Sequence, residues 1–244
     1  MVSTSAAAAT LAVIPARGGS KRIPRKNIKP FLGVPLLART VALLRDANVF
    51  DRIIVSTDDD EIASVAVTAG AEVPFRRPAE LSGDRAITAP VIEHAVRAMD
   101  ADGFTAEFVC CVYPAAVLAL VADIRQAYAY LRESPLEYVF AATSFPYPIQ
   151  RALRHAGEGC EMFWPEHKES LSQDLEPAFH DAGQFYWGRR EAWLERKPVF
   201  SPRSRMLLLP RYRVQDIDTP DDWARAELIF QLLERERGVE SRPR

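Results

Sequence analysis

Leu11-Ala12-Val13-Ile14-Pro15-Ala16-Arg17-Gly18-Gly19-Ser20-Lys21-Arg22-Ile23-Pro24-Arg25-Lys26-Asn27 is the stretch that decides how this chain folds. Leu11 to Pro15 is a short apolar run with β-branched members, and it reads as a buried strand. The run gives way at once to two adjacent glycines and a crowd of cations: Arg17, Lys21, Arg22, Arg25, Lys26 and, just beyond, Lys29. Paired glycines let the backbone turn tightly and present N–H groups to phosphate oxygens, an anion nest. Arg17 can fork onto a phosphate, and Lys21 and Lys26 supply point charges. The spacing fits neither a P-loop nor a dinucleotide fingerprint. A solvated basic loop is the alternative, and its place directly after a first strand favours the anion site. Ala16, Arg17, Gly18, Gly19, Ser20, Lys21 and Lys26 are the candidate contacts here.

Working outward, short β-rich runs alternate with amphipathic ones. Leu36, Leu37, Val41 and Leu44 form a helical stripe, and Arg52 to Ser56 a second strand. A helix buries Ile62, Val65, Ala66 and Ala69, and a short strand is expected at Glu72 to Phe75. Val91, Ile92, Ala95, Val96 and Met99 mark a further helix. Phe108 to Tyr113 is another strand, Asp123 to Leu131 a helix, and Tyr138 to Thr143 a strand. This alternation predicts βαβ units around a mostly parallel sheet flanked by helices, with ligands bound beyond the carboxyl ends of the strands. From Phe145 to about His180 the periodicity is lost, which predicts a functional lid or arm. Strands are expected again at Gln184 to Gly188, Arg205 to Leu209 and Tyr212 to Gln215. A last helix begins at Thr219, with Trp223, Leu228, Ile229, Leu232 and Leu233 on its apolar face. The whole 244 residues read as one domain with an insertion at about 145–181.

Thirty-one basic against 33 acidic residues leave a net charge of −2, which argues against a general nucleic-acid or membrane-surface binder. The basic cluster therefore points to a small anionic ligand. Cys110, Cys111 and Cys160 show no zinc spacing and no paired framework, and they read as reduced thiols in a cytoplasmic protein. Met1 to Thr10 lacks a basic n-region and reads as an unordered start, and the tail from Val239 as frayed.

Asp58 three residues before Glu61 makes a helix capping box, so structural capping is the reading for most of Asp58-Asp59-Asp60-Glu61. Asp216 and Asp218, at i and i+2 on a strand end, put two hard oxygen ligands on one side, as Mg²⁺ takes alongside phosphate oxygens and water. Turn-forming acids are the alternative. Asp221 and Asp222 suit the first turn of the last helix, with Thr219 as its cap and Pro220 at its first position. The histidines His94, His155, His167 and His180 lack ligand sets and read as structural or solvent-facing, His180 least clearly.

Ile14 to Asn27 resembles the signature of the CMP-sugar synthetases, which activate sialic, legionaminic and pseudaminic acids. Val55-Ser56-Thr57-Asp58-Asp59 and Gln215-Asp216-Ile217-Asp218-Thr219-Pro220-Asp221-Asp222-Trp223 resemble two further motifs of that family. His180-Asp181-Ala182-Gly183-Gln184-Phe185-Tyr186-Trp187 is similar to its pseudaminic branch. The resemblance spans roughly residues 11 to 235. It implies a Rossmann-like nucleotidyltransferase fold with a protruding dimerisation arm, CTP and an acidic nine-carbon sugar as substrates, Mg²⁺, and a homodimer. It makes Arg17, Lys26, Asp216 and Asp218 the catalytic set and Asp216 and Asp218 the metal ligands. It adds Asn27 at the base or ribose, Arg77 and Ser82 at the cytosine, Tyr113 and Gln184 at the substrate, and Gln150 and Arg151 at the sugar carboxylate across a dimer interface. For Arg77 and Ser82 a turn with a solvated arginine is the competing reading. Tyr113-Pro114-Ala115-Ala116-Val117 departs from the pattern: Tyr113 and Ala116 side with the pseudaminic branch, whereas Ala115 and Val117 replace an expected threonine and proline. A sialic, legionaminic or octulosonic acid, and a nucleotide-binding relative without turnover, are the alternatives to a pseudaminic acid enzyme. A metal-dependent phosphohydrolase is disfavoured by the tandem cations.

Overall fold

A computed structural model describes residues 8–240. Strand β1 (Thr10–Pro15) runs into the basic loop, which ends in a small antiparallel ribbon of β2 (Pro30–Phe31) and β3 (Val34–Pro35). Then follow α1 (Leu36–Ala47), β4 (Arg52–Ser56), α2 (Asp60–Ala69), α3 (Thr88–Ala101), β5 (Phe108–Val112), α4 (Val121–Arg132) and β6 (Tyr138–Ser144). A hairpin of β7 (Leu153–Ala156) and β8 (Gly159–Met162) leads to β9 (Phe179–Arg189), α5 (Arg190–Leu194), β10 (Ser204–Leu208) and α6 (Pro220–Glu240).

Six strands form one sheet in the order β10-β6-β9-β5-β1-β4. β1 pairs in parallel with both β4 and β5, and β10 with β6. β9 runs antiparallel to both β5 and β6, so five strands share one direction around a single reversed one. Alternation along β1 divides the core: Ala12 and Ile14 pack with Leu37, Val41 and Leu44 of α1, while Leu11 and Val13 pack with Ile92, Val96 and Met99 of α3. Cys110 and Cys111 fall on opposite faces, as their adjacency on a strand requires, and all three cysteines are free. Trp187 of β9 is fully buried and stacks between Phe50 and Tyr128. No helix among the described residues is long and apolar enough to cross a membrane.

Several expectations change. Glu72 to Phe75 forms no strand: Glu72 makes one isolated bridge to Ile54, Arg76 another to Thr57, and Pro74 between them has no N–H to continue a ladder. Tyr212 to Gln215 is not a strand either, since Arg211–Arg213 is a 3₁₀ turn and the chain beyond it is irregular. Asp59, not Asp58, caps α2, accepting from the Ile62 N–H at 3.0 Å. On α6, Trp223, Ala226 and Leu233 face inward, whereas Leu228 and Leu232 are exposed. The insertion closes earlier than expected, because Phe179 to Asp181 already pair with β6. Thr10 opens β1; the unordered start and the frayed tail otherwise concern residues largely outside those described.

Gly188 of β9 lies under two fixed aromatics: a Cβ there would come within 2.4 Å of Trp193 Nε1 and 2.6 Å of the Tyr138 ring. Both rings are fully buried and cannot withdraw. Gly188→Ala is therefore expected to destabilise by about 2–3 kcal/mol through overpacking. That is roughly 5–10 °C in Tm for a chain of this size, measurable by thermal unfolding.

Candidate active site

Parallel strands β1, β4, β5 and β6 end at one edge of the sheet, and reversed β9 begins there. The loops after β1, β4 and β5, the start of β9 and the segment before α6 meet over that edge, where open α/β sheets bind ligands. The root of the basic loop is tied down by Ala16, whose N–H donates to the Ser56 carbonyl at 3.0 Å. Gly18 donates its N–H to Asp58 Oδ1 at 3.1 Å. A Cβ on Gly18 would meet Asp59 Oδ2 at 2.6 Å, whereas one on Gly19 would meet nothing within 4 Å. Gly18 is thus small because acidic side chains of the next loop press against it, and Gly19 leaves the surface open. Asn27 Nδ2 donates to the Arg17 carbonyl at 2.9 Å, and Arg25 takes a left-handed φ of 56° to turn the chain into the 3₁₀ segment Lys26–Ile28.

The loop's cations are held by carboxylates. Arg17 and Lys21 converge on Asp84 at 2.8 and 2.5 Å. Hydrogen bonding and charge from Lys21, then Arg17, hold the exposed Asp84 carboxyl below its usual range. Arg22 and Lys26 reach Asp218 at 2.8 and 3.5 Å, and Lys26 Nζ donates to the Ile217 carbonyl at 2.6 Å. Arg25 pairs with Asp59 and Glu61. A central cavity of about 180 Å³ is walled by Arg17, Ser20, Lys26, Asn27, Tyr113 and Asp216, among others. It shares Arg17, Ser20 and Lys26 with a small basic recess that includes Lys21 and Arg22. On the other side it shares Tyr113, Gly183 and Asp216 with a cavity of about 410 Å³. The three make one cleft, cationic at one end and lined by hydroxyls and carboxylates at the other.

Asp216 and Asp218 stand in irregular chain and not on a strand end. Ile217 between them is fully buried in the cluster around Phe31, Leu36 and Trp223, and Asp216 and Asp218 border adjoining cavities of the cleft. Thr219 and Asp222 fix the start of α6 reciprocally: the Asp222 N–H donates to Thr219 Oγ1 at 3.2 Å and the Thr219 N–H to Asp222 Oδ2 at 2.8 Å. Asp216 titrates above the ordinary carboxylate range, through partial desolvation beside the cleft wall and then the charge of Asp218, with Lys26 acting in the opposite sense; the residue itself stays exposed. Two neighbouring carboxylates at the wall of a cleft are chemically suited to a hard divalent cation.

Other candidates divide. Tyr113 borders both larger cavities, and its hydroxyl, 2.7 Å from Thr88 Oγ1, is pushed up to about 12 by burial. Arg77 is buried beneath the loops, donating to Ser56 Oγ at 3.0 Å and to the Ser56 carbonyl. Burial pulls its guanidinium down to about 10, and it has no carboxylate in ion-pair contact among the described residues. Ser82 closes its own turn on the Pro78 carbonyl at 2.9 Å. Gln184 is buried below the cleft, with Nε2 on the Arg213 carbonyl at 2.9 Å. Gln150 and Arg151 bond within the arm, to the carbonyls of Glu176 and Ser170, and line none of the three cavities. Ala115 lines the central cavity, whereas Val117 is buried in the apolar cluster with Ile23 and Leu118. His180 borders the largest of the three cavities, so it is the one histidine at the cleft.

Residues 11–156 match the family model described as cytidylyltransferase. The chain belongs to the cytidylyltransferase family. It is 43% identical over 223 residues to the pseudaminic acid cytidylyltransferase of Campylobacter jejuni subsp. jejuni serotype O:23/36 (strain 81-176), covering 91% of this chain and 96% of that one. It is 32% identical to the CMP-N,N'-diacetyllegionaminic acid synthase of Legionella pneumophila subsp. pneumophila (strain Philadelphia 1), over 91% and 96%. Among solved structures, CMP:2-keto-3-deoxy-manno-octonic acid synthetase complexed with CTP shares the fold at 15% identity, with a TM-score of 0.66 over 93% of this chain and 99% of that one.

Three features of the cytidylyltransferase site escaped sequence reasoning. Asp84, two residues beyond Ser82, is the shared partner of Arg17 and Lys21. Asp58 and Asp59 brace the basic loop at Gly18 and Arg25. Arg213 and Asp123 form a buried pair at 2.6 Å that clasps the segment before Asp216 onto the start of α4. Asp123 also accepts the Leu120 N–H at 2.9 Å, so the pair ties the loop after β5 to the acidic segment. Breaking a buried ion pair from one side leaves an uncompensated charge. Arg213→Met is expected to lose about 3–5 kcal/mol of stability by denaturant unfolding, and Arg213→Met with Asp123→Leu to recover part of it.

Proposed function

We propose that this cytidylyltransferase transfers CMP from CTP to the anomeric hydroxyl of a nonulosonic acid, with pseudaminic acid as acceptor, giving the CMP-sugar and pyrophosphate. The observation that carries the reading is the 43% identity to a pseudaminic acid cytidylyltransferase across 91% of the chain. Its cleft chemistry agrees: cations at one end for a triphosphate, a buried unpaired arginine for a neutral base, and hydroxyls at the other end for a sugar.

In this reading Arg17, Lys21 and Lys26 leave Asp84 and Asp218 for phosphate oxygens, while Gly19 offers open backbone and Ser20 its hydroxyl beside them. Arg77 and Asn27 hold the base and ribose, with Ser82 shaping the turn. Tyr113 faces the acceptor. Positioning and charge neutralisation do most of the work when a nucleotidyl group is transferred, since little covalent chemistry is asked of the protein. Asp216 and Asp218 would hold Mg²⁺, an ion that neutralises phosphate charge and lowers the pKa of a hydroxyl beside it. Two carboxylates leave the remaining positions to phosphate and water, the coordination Mg²⁺ favours. A homodimer through the arm fits the exposed Tyr147, Leu153, Phe163, Trp164 and Leu171, and would let Gln150 and Arg151 meet a neighbouring sugar carboxylate. A cytoplasmic location follows from the same reading, because CTP is an intracellular substrate and the three cysteines are free.

Pyrophosphate release with CTP and Mg²⁺ is the test, run against pseudaminic, legionaminic, sialic and octulosonic acids. Release is expected with pseudaminic acid and not when ATP, GTP or UTP replaces CTP. Asp216→Ala is expected to lose about 10²–10³-fold in kcat with unfolding unchanged, as for loss of a transition-state charge stabiliser. Release with another acid alone would reassign the acceptor. Silence with all four, despite a thermal shift with CTP, would favour a binding protein without turnover and make Ala115→Thr the next variant to assay.

A further inference from the structure

The cavity beyond Asp216 contains a carboxylate that the proposed reaction does not use. Asp181 lines it together with Tyr113, His180, Gly183 and Tyr186. Its Oδ1 accepts from the Tyr186 hydroxyl at 2.7 Å and from the Gly183 N–H. Among the described residues its Oδ2 accepts from no protein donor, and no lysine or arginine lies within ion-pair distance of it. Oδ2 is not sealed from water, so it stands on the cavity wall as an acceptor open to a ligand.

The backbone is distorted to put it there. Asp181 pairs with Ala142 and Tyr186 with Phe140, so the single residue Ala141 is opposed by positions 182–185. Gly183 takes a φ of +59° within this bulge. Its far side bonds to the neighbouring strand, Tyr113 N–H to the Gln184 carbonyl at 2.9 Å. Bulges of this kind re-aim side chains beside sites. Here the aim is set by Tyr186, whose hydroxyl is kept protonated by burial and so donates to Asp181.

The occupant's chemistry follows from the surroundings. Asp181 repels a sugar carboxylate, so it meets a neutral hydrogen-bond donor at the other end of the acceptor. An apolar cavity of about 500 Å³ starts at the same His180 and Asp181 and is walled by Phe140, Phe179, Phe200 and Met206. A donor joined to a small apolar group, the N–H of an acylated amine, satisfies both sides at once. We propose, resting on the reading above, that Asp181 is a specificity residue accepting the amide N–H of an N-acylated acceptor.

Asp181→Asn keeps an oxygen for Tyr186 and Gly183 but can turn an NH₂ toward the substrate. The expected result is a rise in KM for an N-acylated acceptor of about 10- to 100-fold, as for a lost hydrogen bond to a charged group. KM for CTP should be unchanged, and the preference for N-acylated over octulosonic acid should shrink by a similar factor. Tyr186→Phe, which frees Oδ1 but keeps the charge, should raise the acceptor KM less than Asp181→Asn does. An unaltered acceptor preference in Asp181→Asn would overturn the assignment, as would equal losses in CTP and acceptor KM, the mark of a merely structural role. Wild-type protein silent with every acceptor would overturn the underlying reaction, and this role with it.

Discussion

Everything in this molecule depends on one reversed strand. β9 stands antiparallel between β5 and β6 and supplies the central hydrogen-bonding partner for both. Its buried side chains, Phe185 and Trp187 on one face and Tyr186 on the other, join the two apolar layers that cover the sheet. Because it is reversed, its beginning and not its end lies at the edge where the parallel strands finish. The chain therefore leaves β6 at that edge, makes the arm, and returns at the same edge. His180, Asp181 and Gly183 reach the cleft for this reason alone. A sixth strand parallel to the rest would have put those residues on the opposite side of the sheet.

Charge organisation in the cleft follows a second logic. A loop with so many cations would repel itself in a compact fold if its charges were unmatched. Here the cations are matched by carboxylates from other loops, exposed at Asp84 and partly buried at Asp218 and Asp59: Asp84 for Arg17 and Lys21, Asp218 for Arg22 and Lys26, and Asp59 with Glu61 for Arg25. Exposed pairs contribute little, so a triphosphate can replace the Asp84 carboxylate at small cost. Arg77 differs: it is buried, without a carboxylate, and its charge is already disfavoured by burial. The arginine that costs most to keep charged is placed beneath the loops, where a neutral base, not a phosphate, is its proposed partner.

The sequence made the local features legible and left the long-range ones hidden. β1 and the loop after it could be read because glycines, cations and an apolar run within a few residues carry their own physics. Reversal of β9 could not, since a strand buried on both faces shows the same apolar run in either direction. The cap of α2 slipped by one residue because three consecutive aspartates offer the same side chain, and only the approach of Gly18 and Arg25 decides which one turns inward. Pairings such as Arg213 with Asp123 join positions ninety residues apart and leave no spacing to notice.

Asp216 and Asp218 show how one sequence spacing can be produced by two different backbones. They were expected on a strand, where i and i+2 share a face; they lie in irregular chain with no sheet partner. What enforces the alternation is the burial of Ile217 between them, anchored among Phe31, Leu36 and Trp223. An apolar residue between two acids reads in sequence as strand periodicity, but the physical constraint is one side chain inward and two outward. A single buried isoleucine meets it, while Lys26 grips that residue's carbonyl and the Thr219–Asp222 cap fixes the chain just after. The acidic pair is thus held from three directions by contacts that a ladder would not supply. Freed from a ladder, its backbone can meet the basic loop edge-on, and the two halves of the cleft are joined at that point.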